Sequence, residues 1–262
     1  MNILDRIIAS KRMEVEKRKI NKRISDLEEE PFFKKKTLSF KEFLLRGDKS
    51  GIITEFKRRS PSKGWINKTV SVKEVTTAYA KYGASAISIL TDEEFFGGSL
   101  NDLLAATINE VPLLRKDFII DKYQLIESKA YGAEIILLIA ACLTVAEVKS
   151  LSAFAKNIGL NVLLEIHNEQ ELEHICDDVD VVGVNNRDLK TFIVDINRSI
   201  ELGKLIPDNK IKISESGIDD VATIHLLKAH GFKGFLMGEK FMKEKNPGEA
   251  FREFVNKLAY KL

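Results

Sequence analysis

Cysteine, histidine, tryptophan, net charge and long apolar runs are all in short supply in this 262-residue chain, and each shortage excludes something. Two cysteines, Cys142 and Cys176, make no disulfide framework. They lie far apart beside apolar segments, which suits reduced core thiols and predicts a reducing, cytoplasmic compartment. The longest apolar run, residues 135–143, is too short to span a bilayer, and the N-terminus alternates apolar with charged residues instead of showing a signal-peptide core. Neither export nor membrane insertion is expected. Forty-one basic and thirty-nine acidic residues leave a net charge of +2, so no whole-molecule field favours nucleic acid or a membrane surface. Any anion must be recognised by local charge. Of the four histidines, none stands in an H-E-x-x-H context and neither cysteine is part of a C-x-x-C pair, so no metal site is expected and the histidines read as surface or packing residues. The lone Trp65 reads as packed, or as flanking a pocket near the first loop.

What is present is a rhythm. From about residue 51 a short apolar run, a polar loop and an amphipathic segment recur, usually closed by glycine. Strands are expected at 52–55, 86–90, 112–115, 134–139, 161–165, 181–184, 210–214 and 234–237. Between them, Ser71 and Gly83, Asp121 and Gly132, Thr144 and Gly159, and Asp219 and Gly231 bracket helices, with Thr144 and Glu147 at capping-box spacing. Strands alternating with helices predict a parallel sheet, and eight such units predict an α/β fold of the closed (β/α)8 TIM-barrel type. An open doubly wound sheet is the rival, but neither G-x-G-x-x-G nor G-x-x-x-x-G-K-[ST] occurs. Residues 1–262 are read as one domain, of which 1–48 form an N-terminal helical extension. In that extension Leu4, Ile8 and Val15 share a helical face, which suits either a working part of the fold or a charged helix that only covers one end of the barrel. Glu14, Glu16 and Glu28 to Glu30 interrupt its positive charge and argue against an RNA-binding arm.

Barrels of this kind place their chemistry at the C-terminal ends of the strands. There stand Glu55 and Lys57 after the first strand, Lys116 and Asp117 after the third, Glu165 after the fifth, Asn185 and Arg187 after the sixth, and Glu215 and Ser216 after the seventh. A strand-end polar residue is often only the point where the chain meets water. This many, each behind an apolar run, predict one mouth of mutually perturbed acids and bases. Ser216-Gly217 and Gly238-Glu239 follow the last two strands, where barrels build phosphate sites from backbone N–H groups.

Glu55-Phe56-Lys57-Arg58-Arg59-Ser60-Pro61-Ser62 resembles the E-x-K-x-x-S-P-S signature of indole-3-glycerol phosphate synthases. Leu114-Arg115-Lys116-Asp117-Phe118-Ile119 resembles that family's R-K-D-F segment. Glu165 lies in a matching L-L-E-I segment, Val184-Asn185-Asn186-Arg187-Asp188-Leu189 matches N-x-R-D-L, and Ser214-Glu215-Ser216-Gly217-Ile218 is similar to its E-S-G-I turn. The family also has an N-terminal extension. Arg115 stands where the family often has another residue, and the loop 92–98 is only approximately similar.

The resemblance implies decarboxylating and dehydrating ring closure of 1-(o-carboxyphenylamino)-1-deoxyribulose 5-phosphate in tryptophan biosynthesis, without metal or organic cofactor. It implies that Lys57 pairs with the substrate carboxylate, Lys116 is the general acid, Glu165 serves dehydration and Glu55 orients the lysines. Asn185 and Glu215 then hold the ribulose chain, Arg187 supports the carboxylates, and Ser60, Ser216, Gly217, Gly238 and Glu239 receive the phosphate. The implied partner is this phosphorylated small molecule, with no nucleic acid and no membrane; contact with other tryptophan-pathway enzymes stays open. Three rivals remain: a phosphoribosylanthranilate isomerase, which uses an early cysteine base absent before Cys142; a Schiff-base aldolase acting through Lys116; and a non-catalytic phosphate-binding barrel.

Overall fold

The alternating apolar runs become eight parallel strands in the computed structural model, which describes residues 3–188 and 191–259. They are β1 (Ile52–Phe56), β2 (Ala86–Leu90), β3 (Leu113–Lys116), β4 (Ile135–Ile139), β5 (Asn161–Ile166), β6 (Val181–Asn185), β7 (Ile211–Glu215) and β8 (Gly234–Met237). Each pairs with its sequence neighbour, and β1 closes the barrel against β8 through Ile52 with Phe235 and Ile53 with Leu236. The strands differ from the expected ranges by a residue or so at their ends, and the rival open sheet is excluded by the closure.

Local chemistry sets the intervening helices. Thr144 and Glu147 form the expected capping box: the Glu147 N–H donates to Thr144 Oγ1 at 3.2 Å and the Thr144 N–H to Glu147 Oε2 at 2.7 Å. Ser71 and Asp121 cap their helices likewise. The helix expected to begin at Asp219 is capped one residue later, by Asp220, whose Oδ1 accepts the Thr223 N–H at 2.7 Å. Asp219 and Asp220 are equivalent in sequence terms; the backbone conformation decides between them.

Alternation along the strands divides the apolar residues into two layers. Ile53, Leu114, Ile135, Leu137, Leu163, Val181, Ile213 and Leu236 fill the barrel, while Ile52, Ile136, Val162, Leu164 and Val182 pack outward under the helices. The extension touches both ends. Helix Ile3–Asn21 lies at the C-terminal mouth, and Val15 and Leu27 pack on Tyr123, Ile126 and Ala130 along the barrel's side. Helix Phe40–Leu45 then inserts Phe40 and Leu44 among the residues of the barrel interior. The turn into it is tied down where the Phe40 N–H donates to Asn161 Oδ1 at 3.2 Å. The extension is therefore part of the core at one end and part of the mouth at the other.

Candidate active site

The inward columns of the odd strands end in charge. Two residues beyond Ile53, Leu114, Leu163 and Ile213 stand Glu55, Lys116, Glu165 and Glu215, from β1, β3, β5 and β7. Four residues from alternate strands make one layer of a barrel; here the uppermost layer is three carboxylates around one ammonium. Lys116 Nζ lies 3.0 Å from Glu165 Oε2 and 3.6 Å from Glu215 Oε2. Lys57 Nζ meets Glu55 Oε1 at 2.7 Å. Two glycines make the room this layer needs. A Cβ on Gly183 would fall 2.2 Å from Glu215 Oε1, and one on Gly238 would fall 2.5 Å from Glu55 Oε1.

Burial opposes the charge on Lys116, yet Glu165, Glu215 and Glu55 together raise its proton affinity well above that of an ordinary lysine. Burial also works against ionised Glu165, but Lys116 and His167 hold its carboxyl well below the usual range. Glu215 goes the other way: burial, opposed by Lys116 and helped by Glu165 and Glu55, pushes its carboxyl up. Two acids in one layer are thus pushed in opposite directions, one toward ionisation and one toward protonation. Both Glu215 carboxyl oxygens are buried without a hydrogen-bond partner.

Asn185 donates from Nδ2 to Glu165 Oε1 at 3.2 Å and accepts the Arg187 N–H at 3.0 Å. Arg187 Nη2 lies 3.8 Å from Glu239, the carboxylate just beyond β8, which Lys63 approaches from its other oxygen at 3.5 Å. Leu189 of that segment lies outside the described residues. Ser60, at the start of a short hairpin, accepts the Lys63 N–H at 3.2 Å. Ser216 and Gly217 both take left-handed backbone angles, with φ of 70° and 72°. That is a strained state for Ser216, of the kind that gathers at functional sites.

These residues line one cavity of about 300 Å³. Its apolar wall escaped the sequence reading. Phe96 and Phe118, with ring centroids 6.2 Å apart, line it with Leu137 and Ile139 and with Ile3, Leu4 and Ile7 of the extension. Trp65 does not line the cavity; it is half exposed and rests over Gly97. The extension is thus no mere cover. Nor are all histidines inert packing: His167 is buried, with Nε2 3.2 Å from Glu165 Oε1 and Nδ1 3.2 Å from Glu171 Oε2. The first contact is short but lacks good hydrogen-bond alignment. The signal that was available is the spacing: His167 lies two residues beyond Glu165, at the same strand end.

Burial disfavours imidazolium, but Glu165 and Glu171 outweigh it and raise His167 to about 9. Because the folded value lies above the unfolded one, His167 stabilises the fold fully below about pH 6.5, and this contribution fades as the pH rises toward 9. Thermal melts of His167→Asn against the parent, followed from pH 6 to 9.5, should show the largest deficit at the acid end and convergence at the alkaline end. A deficit independent of pH would show that folding leaves the imidazole's proton affinity unshifted.

The fold and its mouth define a (β/α)8-barrel enzyme with an acid–base layer beneath an apolar wall. The profile described as indole-3-glycerol phosphate synthase matches residues 4–254. The indole-3-glycerol phosphate synthase of Bacteroides thetaiotaomicron is 46% identical over 98% of this chain and 99% of its own length. That of Endomicrobium trichonymphae is 43% identical over 96% and 98%. Among solved structures, 3-hexulose-6-phosphate synthase from Salmonella typhimurium shares the fold, with a TM-score of 0.62 at 13% identity over 79% of this chain and 97% of that one. The chain belongs to the indole-3-glycerol phosphate synthase family. Its activity is that family's carboxy-lyase step of tryptophan biosynthesis, on a phosphorylated small molecule. Among the described residues no helix is long and apolar enough to cross a membrane.

Proposed function

We propose that the charged layer closes the indole ring of 1-(o-carboxyphenylamino)-1-deoxyribulose 5-phosphate, with Lys116 as general acid. The aryl ring lies against Phe96, Phe118 and the Ile3, Leu4 and Ile7 face, and Lys57 leaves Glu55 to pair with the ring carboxylate. As the ring carbon attacks the ketone carbon, negative charge grows on the ketone oxygen, and Lys116 Nζ gives it a proton. A developing alkoxide is basic enough to take a proton even from a lysine surrounded by carboxylates. Carbon dioxide then departs and its electron pair restores the aromatic ring. Glu165, ionised and oriented by Asn185, takes the anilino proton and returns it to the departing hydroxyl, which leaves as water, and the proton on the ring carbon beside nitrogen then moves to nitrogen to complete the indole. Glu215, protonated by its surroundings, offers both donor and acceptor to the ribulose hydroxyls.

The phosphate is received by Ser60 and by backbone N–H groups at Ser216, Gly217, Gly238 and Glu239. Arg187, Lys240 and Lys243 line the same cavity and supply positive charge. The observation that carries this reading is the pair of buried Glu215 oxygens that accept no hydrogen bond, one of them 3.6 Å from the Lys116 ammonium, since buried polar atoms without hydrogen bonds are rare unless a ligand satisfies them. Every step is served by side chains alone, and no cofactor is assigned. The same reading takes residues 1–262 as one domain in a cytoplasmic enzyme, supported by the core that the extension shares with the barrel.

Turnover followed through indole absorbance tests the substrate assignment, and inorganic phosphate should compete with substrate. Absent turnover, or borohydride trapping of Lys116 with a ketose phosphate, would replace this reading with the aldolase one. Inhibition by phosphate that substrate cannot relieve would remove the anion assignment.

A further inference from the structure

Lys11 has no place in the mechanism, yet it is among the most buried side chains of the protein, 1% exposed on a helix none of whose other charged residues is buried. Lysine is almost never buried so fully unless paired. Its Nζ reaches three carboxylates from three elements: Glu14 Oε2 at 2.8 Å, Asp92 Oδ2 at 2.9 Å and Asp117 Oδ1 at 2.9 Å. Each of the two distant partners controls a wall of the cavity. Asp92 caps the short helix Glu93–Phe96 by accepting the Phe95 N–H at 2.7 Å, and that helix carries Phe96. Asp117 sits between Lys116 and Phe118. Its Oδ1 accepts the Phe118 N–H at 2.8 Å, while its Oδ2 meets Thr91 Oγ1 at 2.6 Å and Arg115 Nη2 at 2.9 Å. One turn of helix before Lys11, Ile7 faces the same cavity.

We propose that Lys11 is a positioning residue for the reaction. It clamps the extension's apolar face, the Phe96 helix and the Lys116–Asp117–Phe118 segment into one rigid frame, so that the aryl ring is held at a fixed distance from the Lys116 proton. The proposal rests on the ring-pocket assignment above and deepens it. The chemistry favours a clamp over a simple surface ion pair. Burial opposes charge on both groups, yet Lys11 is held strongly protonated and Asp117 strongly ionised by their partners. A single ammonium divided among three oxygens also fixes three backbones relative to one another, because each bond constrains a different chain segment. Removing it leaves Asp92 and Asp117, both buried, facing each other without their shared cation.

Lys11→Met keeps the stem and removes the clamp. Its constants are read well below its melting temperature, with inorganic phosphate as a second probe and Trp65 as a third. Trp65 is the only tryptophan and rests on Gly97, the residue that ends the Phe96 helix, so acrylamide quenching reports on that helix without any turnover. We expect kcat/KM to fall by roughly ten- to a hundredfold, the usual penalty for a small misplacement far from the reacting atoms. Both kcat and KM should share the loss, Trp65 should become more quenchable, and the phosphate inhibition constant should stay at its parent value.

If Lys11→Met does not fold, Asp92→Asn decides. It preserves the helix cap, cuts one leg of the clamp, and should raise KM a few-fold with the same pattern in quenching and phosphate inhibition. Parent-like constants and quenching in the folded variants overturn the proposal, as does a loss shared equally by phosphate. The parent enzyme's failure to turn over the anilino substrate would instead sink the substrate assignment, while the quenching comparison would still report on the clamp.

Discussion

Lys116→Met should slow ring closure by roughly two to four orders of magnitude, the usual worth of a positioned acid, while substrate still binds through its phosphate. Methionine keeps most of the stem's bulk, so the barrel's upper layer stays filled. What disappears is the ammonium that Glu165 and Glu215 share, Glu55 keeping its own contact with Lys57. Without it Glu165 keeps only His167 of the two cations that hold it ionised, and protons redistribute across the three acids. Chemistry should therefore be read in single turnovers across a pH series. A near-parental chemical rate at any pH in that series, with Lys116 gone, would remove Lys116 from the role of acid.

Glu165→Gln should fail at a different step. Glutamine keeps the shape and can still accept from Asn185, but it cannot take a proton. Ring closure should continue, because Lys116 remains and is freed from its 3.0 Å partner. Dehydration should slow by roughly two to four orders of magnitude and become limiting, so that a decarboxylated, still hydrated intermediate accumulates. Rapid quench with mass spectrometry would detect it. If the variant loses only substrate affinity, with the chemical rate unchanged, Glu165 is a binding group and the dehydration base lies elsewhere.

The two variants also separate the sources of the site's electrostatics. His167 contacts Glu165 and not Lys116, so its stabilising charge should fall back toward neutrality in Glu165→Gln. The pH-dependent part of stability should then shrink along with it. In Lys116→Met, by contrast, Glu165 and Glu171 still flank the ring.

Much of this was legible along the chain because it is local. A helix cap such as Thr144 with Glu147 is a contact across three residues, and a strand's alternation repeats every two, so neither needs the rest of the molecule. The same two-residue period explains why Glu55, Lys116, Glu165 and Glu215 could be found: each is the polar continuation of an inward apolar column. Arg187 was placed at the mouth among its carboxylates, but which of them it meets was not legible. Its direction depends on where Glu239 sits, more than fifty residues later.

The sequence by itself determined the eight-unit barrel, its capped helices, the end at which chemistry occurs and the family to which the motifs belong. These follow from periodicity, capping and strand-end position, which are short-range properties. Tertiary structure alone decided what the extension does, which aromatic rings wall the cavity, and how protons are divided among the acids. Ile7, Phe96 and Phe118 meet only because the extension runs from the barrel's mouth to its base. Lys11 looks like any solvated lysine until Asp92 and Asp117 arrive from two other segments. Glu165 and Glu215 are the same residue type at equivalent strand ends, and only their unequal neighbours push one toward ionisation and the other toward protonation, since a carboxyl's charge in a buried layer is set by burial and nearby charge rather than by its own identity.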